Sequence, residues 1–235
     1  MKLSIIFPCF NEELNIPYIE KELYPILEKL KINYELIFVD DGSKDNTNKL
    51  IQKLGNKRKN IKLITHHKNR GLGVAIRTGI KHCDSDVTIT MDSDLTFHPR
   101  YIPMLIARFK KNDVDCVIGS PTLLGYDKSI PLYRIILSKG VNKIYNIILR
   151  KKLTAISPIF RIYKTNQIQN LKLKSNGFEI NAEILAKLLM KKANVTEIPA
   201  ELTTRIYGES KLNNIKEIKN HLKLISKIIF WQLTY

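Results

Sequence analysis

The chain has 235 residues, of which 44% are hydrophobic and 26% are charged, so it can bury a full core and has no composition typical of disorder. Its 39 basic against 22 acidic residues give a formal net charge of +17, which predicts an anionic partner: a nucleic acid, an anionic lipid surface or a phosphorylated substrate. Cys9, Cys83 and Cys116 form no Cys-x-x-Cys pair, which argues against a disulfide framework or thiolate zinc site and favours a reducing compartment.

The first apolar segment, Leu3–Phe7, has the hydropathy of a short signal sequence, but Pro8 interrupts it and polar residues follow. We therefore interpret it as a strand and not as a secretory signal. A membrane-spanning helix needs about 20 apolar residues; no uncharged apolar run approaches this length, and the candidate after Lys227 has only eight residues. The sequence thus predicts a cytoplasmic protein that does not span a membrane by itself.

Strand and helix patterns alternate along the first half of the chain. Apolar runs predict strands at Leu3–Phe7, Glu35–Val39, Ile61–Thr65, Val87–Met91 and Cys116–Ile118. Apolar residues with helical spacing lie between them, near 15–30, 45–54, 72–82 and 100–111. Such alternation predicts an α/β fold, with a mostly parallel sheet that helices cover on both faces.

Two basic segments of the second half, 130–153 and 212–231, have helical spacing of their apolar residues. The second combines Ile215, Ile218, Leu222, Ile225 and Ile229 with Lys216, Lys219, Lys223 and Lys227. Such helices can lie in a membrane interface with their lysines toward lipid phosphates, or pack on the core with solvated lysines. We expect one domain over residues 1–212, which includes the first basic segment, and a C-terminal amphipathic helix over 213–235.

Polar clusters follow four of the predicted strands, at the edge where ligands of parallel sheets bind. In one of them, Asp92 and Asp94 come after Val87–Met91. Side chains two apart on an extended chain point to the same side, so both carboxylates can reach one small cation. Hard carboxylate oxygens suit Mg²⁺ or Mn²⁺, and such an ion can hold a diphosphate. A simple turn at the end of the strand is the alternative.

Two further clusters have residue types that bind parts of a nucleotide. Asp40 or Asp41, at a strand end, can accept hydrogen bonds from a ribose hydroxyl or a base N–H. An Asp-Gly turn followed by a helix cap would use the same residues. Gly71 and Gly73 precede a helical pattern, where glycines let backbone amides approach an anion.

Two other partners are not expected. Nucleic acid binding is disfavoured because the chain has no finger motif or aromatic-studded basic sheet, and its positive charge lies along amphipathic helices. A zinc site is disfavoured because His66, His67 and His98 have no cysteine or further histidine at ligand spacing. We interpret these histidines as loop residues.

Five motifs occur in the order and spacing of family 2 glycosyltransferases, and the chain resembles most the dolichyl- or polyprenyl-phosphate mannose and glucose synthases. The motifs are Phe7-Pro8-Cys9-Phe10-Asn11-Glu12, Val39-Asp40-Asp41-Gly42-Ser43, Asn69-Arg70-Gly71-Leu72-Gly73, Met91-Asp92-Ser93-Asp94 and Gly208-Glu209-Ser210-Lys211. The resemblance implies a GT-A fold, a nucleotide-sugar donor and a polyprenyl or dolichyl phosphate acceptor.

The resemblance also implies roles for single residues on the donor side. The nucleotide base would lie near Pro8, Asn11, Glu12 and Asp40. Asp92 and Asp94 would carry the metal at the diphosphate. Related enzymes often supply a further oxygen ligand two residues beyond this pair, where the present chain has Thr96.

On the acceptor side, the resemblance implies a phosphate site made of Arg134, Ser138, Arg205 and Lys211. A phosphate monoester has a second pKa near ~6 and is largely anionic at neutral pH, so a dedicated general base is unnecessary. The predicted reaction is an inverting, metal-dependent transfer of a hexose to a lipid phosphate. The protein is expected to be peripheral, on the cytoplasmic face of a membrane. Asp92, Asp94, Arg134 and Arg205 are its expected catalytic residues.

Three alternatives remain. A family 2 enzyme with a carbohydrate hydroxyl acceptor would need a general base, for which Asp115 and Glu179 are candidates. A sugar-nucleotide pyrophosphorylase would place a glycine- and arginine-rich loop after the first strand, and Pro8–Glu12 is not such a loop. A non-catalytic basic module that binds membrane surfaces would not require Asp92 or Asp94.

Overall fold

The computed structural model describes residues 1–111, 113–124, 132–208 and 214–234. The strands are β1 (Lys2–Cys9), β2 (Asn33–Asp40), β3 (Ile61–Thr65), β4 (Val87–Thr90), β5 (Cys116–Ser120), β6 (Arg161–Lys164) and β7 (Val195–Pro199). The helices are α1 (Asn15–Leu30), α2 (Thr47–Lys57), α3 (Leu72–Lys81), α4 (Ile102–Phe109), α5 (Pro121–Leu124), α6 (Leu132–Leu149), α7 (Thr165–Gln169), α8 (Ile180–Met190) and α9 (Asn214–Thr234), and a 3₁₀ turn at Pro99–Tyr101 precedes α4. Within these residues the strands form one seven-stranded sheet in the order β3-β2-β1-β4-β6-β5-β7.

The first four strands confirm the α/β prediction. β1 pairs in parallel with β2 and with β4, and β2 pairs in parallel with β3. Parallel neighbours need a crossover connection, and α1, α2 and α3 lie in those connections. Cys9 is the register partner of Asp40. The loops that follow β1 and β2 therefore begin side by side at one edge of the sheet.

Two strands of the sheet, β6 and β7, have no counterpart in the sequence-based prediction. β6 is antiparallel to both β4 and β5, and β7 is parallel to β5. β6 begins with Arg161, which is completely buried. Its Nη1 and Nη2 donate hydrogen bonds to the carbonyl oxygens of Asn181 and Ile156, whereas its Nε has no hydrogen-bond partner among the described residues. A buried arginine in a strand of four residues conceals the apolar pattern that would predict it.

Successive residues of the central strands face two separate cores. Ile5 and Phe7 of β1 pack in a core with residues of α1, α2 and α4. Ile6 packs on the opposite face with residues of α3, α6, α8 and α9. Because strand side chains alternate in direction and both directions are buried, these strands consist of nearly continuous apolar residues. The prediction that helices cover both faces is confirmed.

The two basic segments form the long helices α6 and α9, which pack against each other. The hydroxyl of Tyr145 lies 2.8 Å from Nδ1 of His221, and Nε2 of Gln232 donates to the carbonyl oxygen of Ile148 at 2.9 Å. No helix in the described part of the chain is both long and apolar enough to cross a bilayer. The expected boundary between residues 212 and 213 lies outside the described residues.

Candidate active site

A cavity of about 770 Å³ lies at the carboxyl ends of β1, β2 and β4. The loops after these strands line it, together with the segment that leads into α3. Residues 174–179, Arg205 and one face of α9 line the rest of the cavity. The cavity therefore lies where a parallel α/β sheet is expected to bind its ligand.

The turn after β4 brings Asp92 and Asp94 to this cavity. Leu95 has a left-handed φ of 53° and is buried, which fixes the turn. The amide of Thr96 donates to Oδ1 of Asp94 at 3.1 Å, and Nη2 of Arg205 lies 2.7 Å from its Oδ2. Thr96 is not among the residues that line the cavity, and its role as a third metal ligand stays a prediction.

Asp92 and Asp94 carry like negative charges when ionised, and these charges repel each other. Burial, and next the negative charge of Asp94, raise the pKa of Asp92 well above its usual range. The positive charge of Arg205 acts to lower this pKa. A divalent cation would relieve this repulsion, and two carboxylates are donors that Mg²⁺ and Mn²⁺ prefer. The described residues contain no group of three His, Cys, Asp or Glu side chains suited to a metal. Two carboxylate ligands on such an ion would leave positions for a diphosphate and water.

Asp41 fixes the segment that leads into α3. Its Oδ2 accepts hydrogen bonds from the amides of Arg70 at 3.0 Å and Gly71 at 2.7 Å. Its Oδ1 lies 2.6 Å from Nδ1 of His66, whose Nε2 lies 3.0 Å from the hydroxyl of Thr78. His66 is buried, so it is a structural partner of Asp41 as well as a loop residue. The Gly71 amide, which the sequence analysis predicted to bind a ligand anion, donates its hydrogen bond to the carboxylate of Asp41 instead.

Gly73 serves a close contact between α3 and residues 174–179. Its amide donates to the carbonyl oxygen of Asn176 at 2.8 Å. A Cβ atom at this position would lie 2.4 Å from the carbonyl oxygen of Ser175, so a larger residue would push the two segments apart. Gly71 lines the cavity and Gly73 does not. With both amides engaged inside the chain, the two glycines form no open anion cradle.

The other residues predicted near the base divide into two groups. Pro8, Glu12 and Asp41 line the cavity, whereas Asn11 and Asp40 are not among its lining residues. Asp40 accepts from the amide of Ser43 at 2.9 Å, and Asn11 accepts from the amide of Lys44 at 2.8 Å. Asp40 therefore closes the turn after β2, and Asn11 joins the loop after β1 to that turn.

The sequence analysis missed the wall formed by residues 174–179. Glu183, which is 1% exposed, accepts from the amides of Lys174 at 3.0 Å and Ser175 at 2.7 Å. Burial alone would raise the pKa of Glu183, but hydrogen bonds from Lys187 and from these amides lower it. Nη2 of Arg77 in α3 donates to Oδ1 of Asn176 at 2.9 Å. Asn176-Gly177, directly before a helical pattern, is the signal that indicates a structured turn here.

The structure brings one of the four predicted acceptor residues, Arg205, to the cavity. Ser138 lies on α6 and is not among the lining residues. The side chain of Arg134 and the whole of Lys211 lie outside the described residues. Three lysines of α9, which the sequence analysis assigned to a lipid surface or to solvent, do line the cavity: Lys216, Lys223 and Lys227.

A family model described as glycosyl transferase family 2 matches residues 4–171. This chain belongs to glycosyltransferase family 2. The matched region of the family 2 chain includes β1 to β6 and the turn that carries Asp92 and Asp94. It ends before residues 174–179 and before α9, which also contribute lining residues to the cavity.

Two curated relatives of this family 2 chain are named dolichol-phosphate mannosyltransferase. The relative from Pyrococcus furiosus is 35% identical over 235 residues, covering 99% of this chain and 65% of the relative. The relative from Saccharomyces cerevisiae is 27% identical over 237 residues, covering 97% of this chain and 87% of the relative. The family 2 chain thus spans less than two thirds of the length of the P. furiosus relative.

Solved structures of another protein share the fold. The glucosyl-3-phosphoglycerate synthase of Mycobacterium tuberculosis, in complex with Mn²⁺, UDP and phosphoglyceric acid, gives a TM-score of 0.71 at 16% identity, covering 97% of this chain and 77% of that one. Its complex with Mn²⁺ and UDP-glucose also gives 0.71 at 16% identity, covering 97% of this chain and 78% of that one. The GT-A fold predicted for this family 2 chain is confirmed.

Proposed function

We propose that the chain transfers a hexose from a nucleotide-sugar to polyprenyl or dolichyl phosphate, with inversion at the anomeric carbon and Mg²⁺ or Mn²⁺ as the cofactor. One observation carries this proposal: Asp92 and Asp94, of which Asp94 is ion-paired to Arg205, share a cavity with the loops after β1 and β2 in a family 2 chain. The two relatives named dolichol-phosphate mannosyltransferase support the same reaction and the same acceptor.

The nucleotide-sugar donor is proposed to lie along the strand ends. Pro8, Glu12, Asp41 and Gly71 line this part of the cavity and would surround the nucleoside. Their positions are set by the hydrogen bonds of the loops behind them, so the wall is formed before a ligand arrives. A preformed wall reduces the ordering cost of binding.

Asp92 and Asp94 would hold the metal ion, which neutralises charge on the departing nucleoside diphosphate when bound. Arg205 and the amide of Thr96 fix the orientation of Asp94. The positive charge of Arg205 also favours the ionised form of Asp92, and that ionised form is the one that coordinates a metal.

The acceptor phosphate is proposed to bind beside Arg205. A guanidinium group has five N–H donors in a planar fork, so Arg205 can keep its contact with Asp94 and still donate to a phosphate. Arg134, Ser138 and Lys211 complete the proposed acceptor site. Aligning the phosphate oxygen with the anomeric carbon is the main catalytic task of these groups, because the nucleophile is already anionic at neutral pH.

Attachment to a membrane surface is proposed through α6 and α9, on the cytoplasmic face. Ile136 and Ile147 of α6 are 60% and 69% exposed, and Leu222 and Phe230 of α9 are 57% and 63% exposed. Large apolar side chains that remain exposed on two adjacent helices indicate an interaction surface. With lysines beside them, these helices have the composition of segments that bind anionic lipid interfaces.

A transfer assay tests the proposed function. Purified protein is incubated with GDP-mannose or UDP-glucose and with either polyprenyl phosphate or unphosphorylated polyprenol, in Mn²⁺ or in EDTA. We expect a glycolipid product only when phosphate and metal are both present. Product from polyprenol would favour the hydroxyl-acceptor alternative, and product in EDTA would contradict the metal assignment. Vesicle binding without any transfer would favour the non-catalytic module.

A further inference from the structure

The residues of α9 that line the cavity recur at the spacing of one helix face. They are Lys216, Glu217, Asn220, Lys223, Leu224 and Lys227. Positions three and four apart on a helix lie on the same side of it. One side of α9 therefore places lysines at the cavity that contains Asp92 and Asp94, whereas Lys219 of the same helix does not line it.

Contacts on the body of the protein determine which side of α9 faces the cavity. Leu224 is 3% exposed and belongs to the core. Nδ1 of His221 lies 2.8 Å from the hydroxyl of Tyr145, and Oε2 of Glu217 accepts from the amide of Phe178 at 3.2 Å. Since α6, the core and residues 174–179 all hold the helix, the orientation of its lysines is defined by packing.

The ion pairs among the described residues do not include Lys223 or Lys227. Arg205, by contrast, is paired with Asp94. Two unpaired ammonium groups at the rim of a substrate cavity attract an anionic ligand and are free to contact it. A phosphate group is the anion that the proposed reaction brings to this cavity.

The surroundings of these lysines favour a lipid phosphate over the nucleotide. Phe230 follows Lys227 by three residues, so it lies on the same side of α9, and it is 63% exposed. An acceptor with an anionic head and an apolar chain would contact Lys227 and Phe230 together. A nucleotide-sugar has no apolar chain that could extend along the helix past Phe230.

We infer that Lys223 and Lys227 form an entry site for the phosphate of the lipid acceptor, in the cavity that also contains Asp92 and Asp94. This inference rests on the proposed function and adds a binding site to it. Helix α9 is then part of the substrate site as well as a membrane-facing element. The lysines guide the phosphate from the lipid surface toward Arg205.

The test compares the double variant Lys223→Gln, Lys227→Gln with Lys219→Gln, in neutral detergent so that lipid charge plays no part. We expect the double variant to raise the KM for polyprenyl phosphate about tenfold, which corresponds to about 1.4 kcal/mol. The KM for the nucleotide-sugar should stay within about twofold, as should both constants of Lys219→Gln. All three side chains are exposed, so the melting temperatures should be those of the parent.

Three results would each overturn the inference. The KM for polyprenyl phosphate could be unchanged in the double variant, it could rise equally in Lys219→Gln, or the KM for the nucleotide-sugar could rise as much as the acceptor KM. Calorimetric titration with farnesyl phosphate and with inorganic phosphate, without donor, separates it from the proposed function. We expect farnesyl phosphate to bind the parent more tightly and to lose affinity in the double variant. The proposed function fails if the parent transfers no hexose. Independently of that result, the entry site is overturned if the parent and the double variant bind farnesyl phosphate with equal affinity.

Discussion

The contact between Arg205 and Asp94 joins two residues that are distant in the sequence. Its 2.7 Å length places a fixed positive charge beside the two carboxylates of the turn after β4. With both carboxylates ionised, Asp92, Asp94 and Arg205 together have one net negative charge, and a bound divalent ion would make this group net positive. A site that becomes positive only with its ion has the charge that a leaving diphosphate requires.

The residue-scale prediction concerns Asp92→Asn, which removes one charge at nearly constant volume. We expect turnover to fall more than about a hundredfold, in line with the loss of a group that stabilises transition-state charge. The Mn²⁺-dependent rise of the melting temperature in the presence of nucleotide-sugar should disappear. In the absence of ligands the variant should melt at a slightly higher temperature, because the raised pKa of Asp92 shows that its charge destabilises the fold.

Asp113→Asn is the matched control, since Asp113 is exposed and does not line the cavity. Calorimetry and a transfer assay on both variants give the comparison. Parental turnover of Asp92→Asn in the presence of EDTA would show that no metal is held there.

The predictable part of the site follows from local geometry. Asp92 and Asp94 are two residues apart at the end of a strand. Because side chains alternate in direction along a strand, this spacing alone predicts that both carboxylates point to the same side. The buried contacts of His66 and Glu183 depend on segments that meet only in the folded chain, and no local pattern contains them. The role of Arg205 was predicted only through the resemblance to a family, because its partner Asp94 is distant in the sequence and no local pattern joins the two residues.

At the scale of elements, α9 shows the limit of helical periodicity. The sequence offers a stripe that includes Ile218, Leu222 and Ile229, and the structure leaves these residues exposed. Leu224 and Ile228 are buried instead. Both stripes satisfy the spacing of a helix, so the pattern predicts the helix but not which of its sides meets the core.

The contact of α9 with α6 gives a prediction on pH. Burial lowers the pKa of His221 below its ordinary value, with an opposing effect of Glu179. A folded-state pKa below the unfolded one means that the unfolded chain binds the proton more readily. The stabilising contribution of neutral His221 is therefore full above about pH 6.5, the unfolded value, and is lost as the pH falls through the folded pKa.

Urea unfolding of the parent and of His221→Gln at pH 7.5 and pH 5.5 measures this effect, since glutamine does not titrate in this range. We expect the parent to be more stable than the variant at pH 7.5 and the difference to shrink at pH 5.5. The difference between the two proteins cancels the titration of Glu179 and Glu217, which lie near His221. A stability difference that is the same at both pH values would contradict the assignment.

At the scale of the whole molecule, the exposed apolar residues of α6 and α9 and the lysines of α9 predict a mixed mode of membrane attachment. Each lysine near an anionic surface contributes about 1 kcal/mol, which salt screens. Burial of an apolar side chain contributes about 1.5–3 kcal/mol and resists salt. We expect high salt to weaken binding to anionic vesicles, and Leu222→Asp with Ile229→Asp to remove more than about nine tenths of the remainder.

Vesicle co-sedimentation at low and high salt measures both parts. Leu14→Asp is the matched control, because Leu14 is 59% exposed and precedes α1, which packs on the other face of the sheet. If the double variant sediments like the parent, attachment does not use α9. If Leu14→Asp loses binding equally, the effect is one of net charge.

The fold as a whole was predictable where strands and helices alternate strictly, from β1 to β5. The prediction ended at β6, because an antiparallel strand that begins with a buried arginine lacks both the alternation and the apolar run. It also ended at β7, where Glu197 lies within the strand and accepts hydrogen bonds from the amides of Thr154 and Ala155. In both cases a polar group is accommodated by partners that the local sequence does not reveal.

The place of β6 in the sheet has a consequence for synthesis on the ribosome. β4 pairs with β1 on one side and with β6 on the other, and residues 91–160 separate β4 from β6 in the chain. While the nascent chain lacks residues 161–164, the inner edge of β4 has no strand to pair with. Such an edge invites pairing with other chains, so β4 stays open to aggregation until β6 has been made.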